Sequence, residues 1–303
     1  MAHKKMSARM RGNLLLLLTA FIWGVAFVAQ KEGGAQMGGL TFNGVRSLLG
    51  GGMLLVLLPL LDRVGFTHRP TTREEKKTLL TGGVLCGLAL FAATNVQQLG
   101  LLSTSAGKGG FITALYIVLV PIFGLFIGRR TTLFTWVGVL LAVVGLYLLC
   151  MQGEQGINGG DLLVLACAPI FAVQILLVDR FSPKTDGVRL ACIEFFTVGI
   201  LNIPLMFIFE TPSFSAMLSC WESVLYAGLL SSGVAYTLQI VAQKDTHPTT
   251  ASLLMSFESV FAVLAGVLLL EGEVMSLWET VGCCVMFAAI VLAQLPSPKK
   301  KGA

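Results

Sequence analysis

The chain alternates blocks of about twenty apolar residues with short polar breaks. The blocks fall at 13–31, 39–61, 78–98, 104–127, 132–150, 158–179, 188–209, 221–243, 249–270 and 274–295. At ~1.5 Å of rise per residue, each block is long enough as a helix to cross a hydrocarbon layer ~30 Å thick. The pattern predicts an all-α integral membrane protein with ten transmembrane helices. The polar breaks then orient it. With a cytoplasmic amino terminus, every Lys and Arg except Lys31, Arg46 and Lys108 falls on the inner side. The opposite loops carry Glu32, Glu154, Glu210, Glu271 and Glu273. Positive charge collects on the cytoplasmic side of membrane proteins, so both termini are expected there.

Composition excludes several other classes. A mean hydropathy of +0.83, with 55% hydrophobic and 12% charged residues, lies far from the soluble norm. The net charge of +5 reads as inner loops facing anionic headgroups, with no nucleic-acid footprint implied. Seven cysteines is an odd number, six of them sit in or at the end of apolar blocks, and no C-x-x-C pair occurs. Disulfide and zinc frameworks are both excluded on that pattern. The basic start followed by Leu14–Leu18 has the look of a signal peptide. The apolar run continues through Val28 without a small-x-small cleavage site, so this helix is expected to be retained.

Five helices plus five helices read as two copies of one unit. Gly12-Asn13-Leu14-Leu15 aligns with Gly160-Asp161-Leu162-Leu163, which brings Ala20 onto Ala168, Ile22 onto Ile170, Trp23 onto Phe171 and Val25 onto Val173. Farther on, Gln98 falls on Gln239, Ala106 on His247, and Val137-Gly138 on Val281-Gly282, with small register changes assigned to loop length. A unit with an odd number of spans ends on the side opposite its start, so its copy is upside down. The expected organisation is a cytoplasmic segment 1–12, a first repeat 13–150, a second repeat 158–295 and a basic tail 296–303. Inverted repeats supply alternating access, because exchanging the conformations of the two halves closes one side and opens the other.

The chain resembles the drug/metabolite transporter superfamily and, within it, the EamA-type permeases. The resemblance rests on the duplication and on Phe21-Ile22-Trp23-Gly24, Arg46, the stretch from Thr104 to Tyr116 leading to Val120-Pro121, and Ser256-Phe257-Glu258-Ser259-Val260-Phe261-Ala262. Ser259 stands where relatives often carry proline, so no hinge is transferred and the ninth helix is expected to be straighter. The resemblance implies a secondary transporter of a small organic metabolite or drug-like solute, by family analogy an exporter. It also implies that the fifth and tenth helices are peripheral, and that the setting is a bacterial cytoplasmic membrane.

Charge buried in a bilayer is expensive unless it meets a partner or a wet cavity, which makes it the best pointer to a pathway. Glu258 lies near the midplane and is the candidate proton or cation site, or else a fixed partner that orients another residue. Arg46, on the order of 10 Å deep by helical rise, is a candidate carboxylate clamp, or else a structural ion-pair partner or a hydrogen-bond donor to exposed carbonyls. Glu194 is either functional or reaches toward inner headgroups. Lys108 either contacts substrate or snorkels to the outer interface. If the second and seventh helices keep the 148-residue separation of the first and sixth, Arg46 and Glu194 are equivalents of opposite sign. Thr94, Asn95, Gln97 and Gln98 at the end of the third helix, with Tyr236, Gln239 and Gln243 on the eighth, are polar recognition candidates, although amides more often link helices. Trp23 with Phe27, and Tyr116, are candidate cavity walls, against the commoner reading that intramembrane aromatics simply pack. Gly50-Gly51-Gly52 and Gly107, Gly109 and Gly110 are read as steric relief for close packing.

Enzyme motifs fail one by one. Leu102 stands where a Walker A loop needs glycine, and Gly109 stands where it needs Ser or Thr. His3, His68 and His247 are far apart, with no H-E-x-x-H, and no G-x-S-x-G elbow occurs. No cofactor, metal or nucleic acid is expected. The expected partners are a small-molecule substrate, membrane lipids and, in a coupled cycle, protons, with the chain acting as a monomer or weak dimer. The competing functions are a gradient-independent uniporter or lipid flippase on the same scaffold, and a membrane-embedded enzyme or assembly factor.

Overall fold

The computed structural model describes residues 7–104, 106–150, 157–269 and 276–294. Lys4, Lys5, Glu154, Glu271, Glu273 and the basic tail 296–303 lie outside the described residues. Within them the protein is helical from end to end: α1 (Ala8–Met37), α2 (Gly39–Arg63), α3 (Arg73–Leu101), α4 (Ala106–Ala114), α5 (Tyr116–Phe126), α6 (Leu133–Cys150), α7 (Gly159–Phe181), α8 (Gly187–Phe209), α9 (Phe214–Ser219), α10 (Trp221–Leu225), α11 (Tyr236–Gln243), α12 (Pro248–Met255), α13 (Glu258–Leu269) and α14 (Leu277–Gln294). A π-helical stretch, Tyr226–Ala235, joins α10 to α11. Among the described residues seven helical stretches are long and apolar enough to cross a membrane, and three shorter apolar helices occupy the fifth, ninth and tenth expected blocks.

Local chemistry sets the helix starts. Thr72 with Glu75 and Asn158 with Asp161 form reciprocal capping boxes at α3 and α7. The Asp186 side chain accepts from the Arg189 N–H and starts α8. Gly38, at φ 88°, turns α1 directly into α2. A Cβ there would also strike the Glu210 carboxylate.

The two halves pack on each other reciprocally. A Cβ on Gly51 of α2 would meet the Phe196 ring of α8 at 3.3 Å, and a Cβ on Gly199 of α8 would meet Leu48 of α2 at 2.5 Å. Each residue of one contact maps onto the other at a separation of 148 residues. Gly87 of α3 lies against Thr197 and the Glu194 carbonyl, and Gly228 lies against Leu49 and the Arg46 carbonyl. Arg46 and Glu194 therefore occupy matching positions, as the sequence reading supposed. Gly160 packs on the Gly100 carbonyl and the Thr104 hydroxyl, and Gly12 packs on the Ala242 carbonyl and the Thr246 hydroxyl.

These contacts also correct the alignment. Gly87 matches Gly228 at a separation of 141 residues, but Gly100 and Thr104 match Ala242 and Thr246 at 142. The extra residue is taken up inside the helix, by the π stretch Tyr226–Ala235, and not by a loop. A π turn accommodates an inserted residue without breaking the helix. Gln97, rather than Gln98, is thus the partner of Gln239.

Two apolar segments are interrupted at matching points. Between α4 and α5 the ladder shortens, with Leu115 N–H bonding to the Ile112 carbonyl and Val118 N–H to the Leu115 carbonyl. Between α12 and α13 the Phe257 N–H bonds to Leu254 and the Ser259 N–H to Ser256. The expectation of a straighter ninth helix is overturned. Here serine does what proline would have done: the Ser252 and Ser256 hydroxyls donate to the Thr249 and Leu253 carbonyls, competing with the backbone ladder. The resumed half-helices begin at Tyr116 and Glu258.

α6 and α14 form a pair of their own. Gly138 sits under the Ala289 carbonyl and Gly282 under the Gly145 carbonyl, each 2.8 Å from a built Cβ. Small residues let helix backbones approach this closely where no hydrophobic force drives association.

One carboxylate ties the halves together at each end of the α2/α8 pair. Glu210, just past α8, accepts from Leu40 N–H at 3.0 Å, Thr41 N–H at 2.7 Å and the Thr41 hydroxyl at 2.6 Å, all at the start of α2. Asp62, at the end of α2, binds the Arg189 guanidinium at the start of α8 and also accepts from Thr67 and Arg69. Thr41 maps onto Arg189 and Asp62 onto Glu210 at the same 148-residue separation.

Candidate functional site

A small cavity sits where α1, α2, α3, the α4/α5 and α12/α13 breaks, α7 and α11 converge. Eight of the residues singled out from sequence line it: Trp23, Phe27, Arg46, Gln97, Tyr116, Tyr236, Gln239 and Glu258. The breaks explain two of them. Tyr116 and Glu258 are first residues of resumed half-helices, and the Tyr116 hydroxyl donates to Glu258 Oε1 at 3.3 Å. Interrupted helices near the repeat interface place backbone and side-chain polarity at mid-depth without exposing it to lipid.

Arg46 is buried, its Nε donates to Asn43 Oδ1 at 2.8 Å, and its guanidinium carbon lies 5.8 Å from the Phe42 ring centre. Asn43 is itself fixed by donating to the Thr94 carbonyl and to Asn95 Oδ1. Arg46 is thus anchored through Nε while lining the cavity. Among the described residues neither Arg46 nor Glu258 belongs to an ion pair, so the cavity holds one cation and one carboxyl group without salt-bridge partners.

Aromatic and amide groups make the walls. The Trp23 and Tyr236 rings lie 4.5 Å apart, and Phe195 closes the far side of Tyr236 at 5.3 Å. Gln239 donates to Gln174 Oε1 at 3.3 Å and to Gln243 Oε1 at 3.1 Å, while Gln174 donates to Glu194 Oε1 at 2.9 Å. Trp23 Nε1 and Gln239 Oε1 are buried without a hydrogen-bond partner among the described groups. Buried polar atoms in that state are uncommon, and on a cavity wall they are ready contacts for a polar guest. The void itself is about 40 Å³, room for roughly three or four waters at ~10–15 Å³ each. Ligand pockets run to ~300–1,000 Å³, so this conformation is closed around its centre.

The structure separates the remaining candidates. Glu194 does not reach the inner headgroups; it is fully buried and meets the cavity only through Gln174. Lys108 neither snorkels nor lines the cavity; its Nζ lies 2.6 Å from Asp161 Oδ2, and the pair is closed by Thr104. Asn95 holds Asn43, and Gln98 donates to the Gln30 carbonyl at 2.8 Å, so both amides link helices. Gln97 takes the lining position instead, donating to Thr113 at 3.0 Å. Gln174 was missed, although a lone amide in the apolar run of α7 carried the same signal as Gln239. Phe171 was visible only as the aligned partner of Trp23. Among the described residues α6, α8 and α14 contribute no residue to the lining.

Comparison with known proteins agrees with this architecture. The EamA-like transporter family model matches residues 10–151 and again 158–295. An uncharacterized transporter of Archaeoglobus fulgidus is 31% identical over 293 residues, covering 95% of this chain and 87% of the relative. The threonine/homoserine exporter RhtA of Salmonella typhimurium is 28% identical over 225 residues, or 72% of this chain and 70% of its own. A crystal structure sharing 18% identity superposes with a TM-score of 0.77 over 93% of this chain and 96% of that one, a likeness of fold. The relatives are named as transporters, not enzymes.

Proposed function

The chain belongs to the EamA-like transporter family, and on that premise we propose that it is a secondary carrier exporting a small zwitterionic metabolite of the amino-acid class. The observation that carries this reading is the shared cavity of Arg46 and Glu258. Arg46 presents a planar fork suited to a carboxylate. Glu258, Tyr116 and the amides of Gln239 and Gln174 face a primary ammonium. An unpaired carboxyl group in a dry site is costly, so Glu258 is neutralised by whichever cation reaches it. Substrate ammonium on one half-cycle and a proton on the other give coupled exchange.

The scaffold for the cycle is ten spans in two inverted repeats, 13–150 and 158–295, with 1–12 and 296–303 in the cytoplasm. The reciprocal glycine contacts and the 148-residue mapping support the inversion. Glu210 is then the outer latch between the halves and Asp62 with Arg189 the inner one. Opening one while the other holds exposes the cavity to one side at a time. The setting is a bacterial cytoplasmic membrane and the working unit a monomer.

Counterflow in proteoliposomes tests the reading. Vesicles are preloaded with pooled amino acids, nucleobases, sugars or polyamines and assayed with and without a pH gradient. Saturable exchange confined to the amino-acid pool, with accumulation driven by the gradient, is the expected result. Exchange confined to another pool overturns the zwitterion assignment, and exchange indifferent to the gradient overturns proton coupling.

A further inference from the structure

A second and larger concavity lies away from the central site, on the outer face of α5 and α7 near their C-terminal ends. It encloses about 650 Å³. Its walls are apolar: Phe123 and Phe126 from α5 with Ile127 just past its end, and Val173 and Leu177 from α7. Phe126 is 84% exposed and Val173 43%, so the wall faces the surrounding lipid, not the interior. The rim is basic. Arg129, Arg180 and Lys184 meet there, against the single carboxylate of Asp179, which pairs with Arg129.

From this combination we infer a binding site for an anionic phospholipid. The Arg129–Asp179 pair cancels and leaves Arg180 and Lys184 as net positive charge over an apolar trough. A phosphate diester bearing acyl chains satisfies both parts at once. A soluble phosphate would leave the trough uncovered, and a zwitterionic headgroup would bring its own cation to the rim. The positive-inside distribution places the rim at the cytoplasmic leaflet, where anionic lipids and basic pockets between helices meet. The site bridges the two repeats, since α5 belongs to the first and α7 to the second. A lipid seated there contacts the bundle where α5 and α7 must shift if the halves exchange conformations.

The test uses the purified full-length protein, stripped of lipid and offered equimolar phosphatidylglycerol and phosphatidylcholine with identical chains. Retained lipid is counted by native mass spectrometry. The expected result is a several-fold excess of phosphatidylglycerol, falling toward parity in the double variant Arg180→Gln/Lys184→Gln. Filling the trough with Val173→Trp removes retention of both lipids while the melting temperature of the protein is held. Glycerol phosphate without chains fails to displace the bound phosphatidylglycerol. Equal retention of the two lipids by the native protein, or an undiminished preference in the double variant, overturns the inference. Displacement by glycerol phosphate alone overturns the lipid assignment in favour of a soluble anion.

Discussion

The Glu210→Ala substitution separates a gate from a structural cap. The carboxylate accepts three hydrogen bonds, from Leu40 N–H, Thr41 N–H and the Thr41 hydroxyl. Each charge-assisted bond carries ~1.5–3 kcal/mol when its partner is left buried. Glu210 itself is partly exposed while Leu40 and Thr41 are buried, so water entering the emptied place replaces part of the loss and about 1–2 kcal/mol remains. That difference multiplies the outward-open to closed ratio by roughly 5–30. Hydrogen exchange in nanodiscs reads both ends at once. Faster exchange at Leu40 and Thr41 follows from the lost bonds alone and decides nothing. The decisive amides are His68 and Arg189, which donate to Asp186 at the other end of the α2/α8 pair. If the two latches alternate, a protein drawn toward outward-open visits inner opening less often, and His68 and Arg189 exchange more slowly. Asp62→Ala produces the mirror image, slowing Leu40 and Thr41. Faster exchange at both ends in either variant refutes the gating argument and leaves the acids as stabilisers of the fold.

Four further outcomes follow from the same geometry. Glu258→Gln keeps expression and folding but abolishes accumulation driven by a pH gradient, and normal accumulation in counterflow removes Glu258 from the cycle. Arg46→Lys keeps the charge but loses the two-pronged contact, so half-saturation for a zwitterionic substrate rises about tenfold or more, measured in the same vesicles. Gly228→Ala and Gly87→Ala force a Cβ against α2 and α8 and cost about 1–3 kcal/mol by overpacking, whereas Gly52→Ala, with nothing within 4 Å, leaves the melting temperature unmoved. His247 caps α12 by accepting from Thr249 N–H, and burial lowers its pKa below the ordinary 6.5 despite Asp179 nearby. The folded state therefore resists protonation more than the unfolded chain, and stability present above pH 6.5 is lost as pH falls through the lowered value. Melting curves from pH 7 to 5 show a smaller decline in His247→Asn, which caps without titrating.

The helical class and the central carboxyl were legible because both follow from the cost of exposing polarity to lipid. Block length marked the apolar helices, and the same cost singled out Arg46 and Glu258 as residues needing a reason to be there. Depth along a helix did not give direction around it. Asn95, Gln97 and Gln98 are adjacent in α3, yet only Gln97 faces the cavity, and a helical step of about 100° per residue decides between them. Lys108 was misread because its partner Asp161 is distant in sequence and begins the other repeat. The ninth helix was misread because the missing proline was taken as a missing break, when two serine hydroxyls already weaken the ladder. The register change between the repeats was assigned to loops, and no signal in the sequence distinguishes an inserted loop residue from one absorbed by a π turn.

The repeats agree where backbones touch and diverge where side chains meet the cavity. Gly87 and Gly228, Gly51 and Gly199, and Gly12 and Gly160 keep matching contacts, which the proposed exchange of conformations between halves requires. At the centre the pairs are Arg46 with Glu194, Tyr116 with Glu258, and Trp23 with Phe171. A symmetric cavity would present equal charge from both halves and hold a zwitterion in two opposed poses. The substitution of glutamate for arginine, and of tyrosine for a second glutamate, removes that degeneracy. Gln174 completes the asymmetry, since its counterpart is Ala26 and it screens Glu194 from the cavity, leaving Arg46 and Glu258 as the two poles. Restoring symmetry with Gln174→Ala exposes Glu194 beside Gln239 and adds a second negative pole. A carrier of zwitterions then shifts its preference toward dicationic substrates such as diamines in counterflow. Unchanged selectivity in that variant would place Glu194 in the scaffold alone.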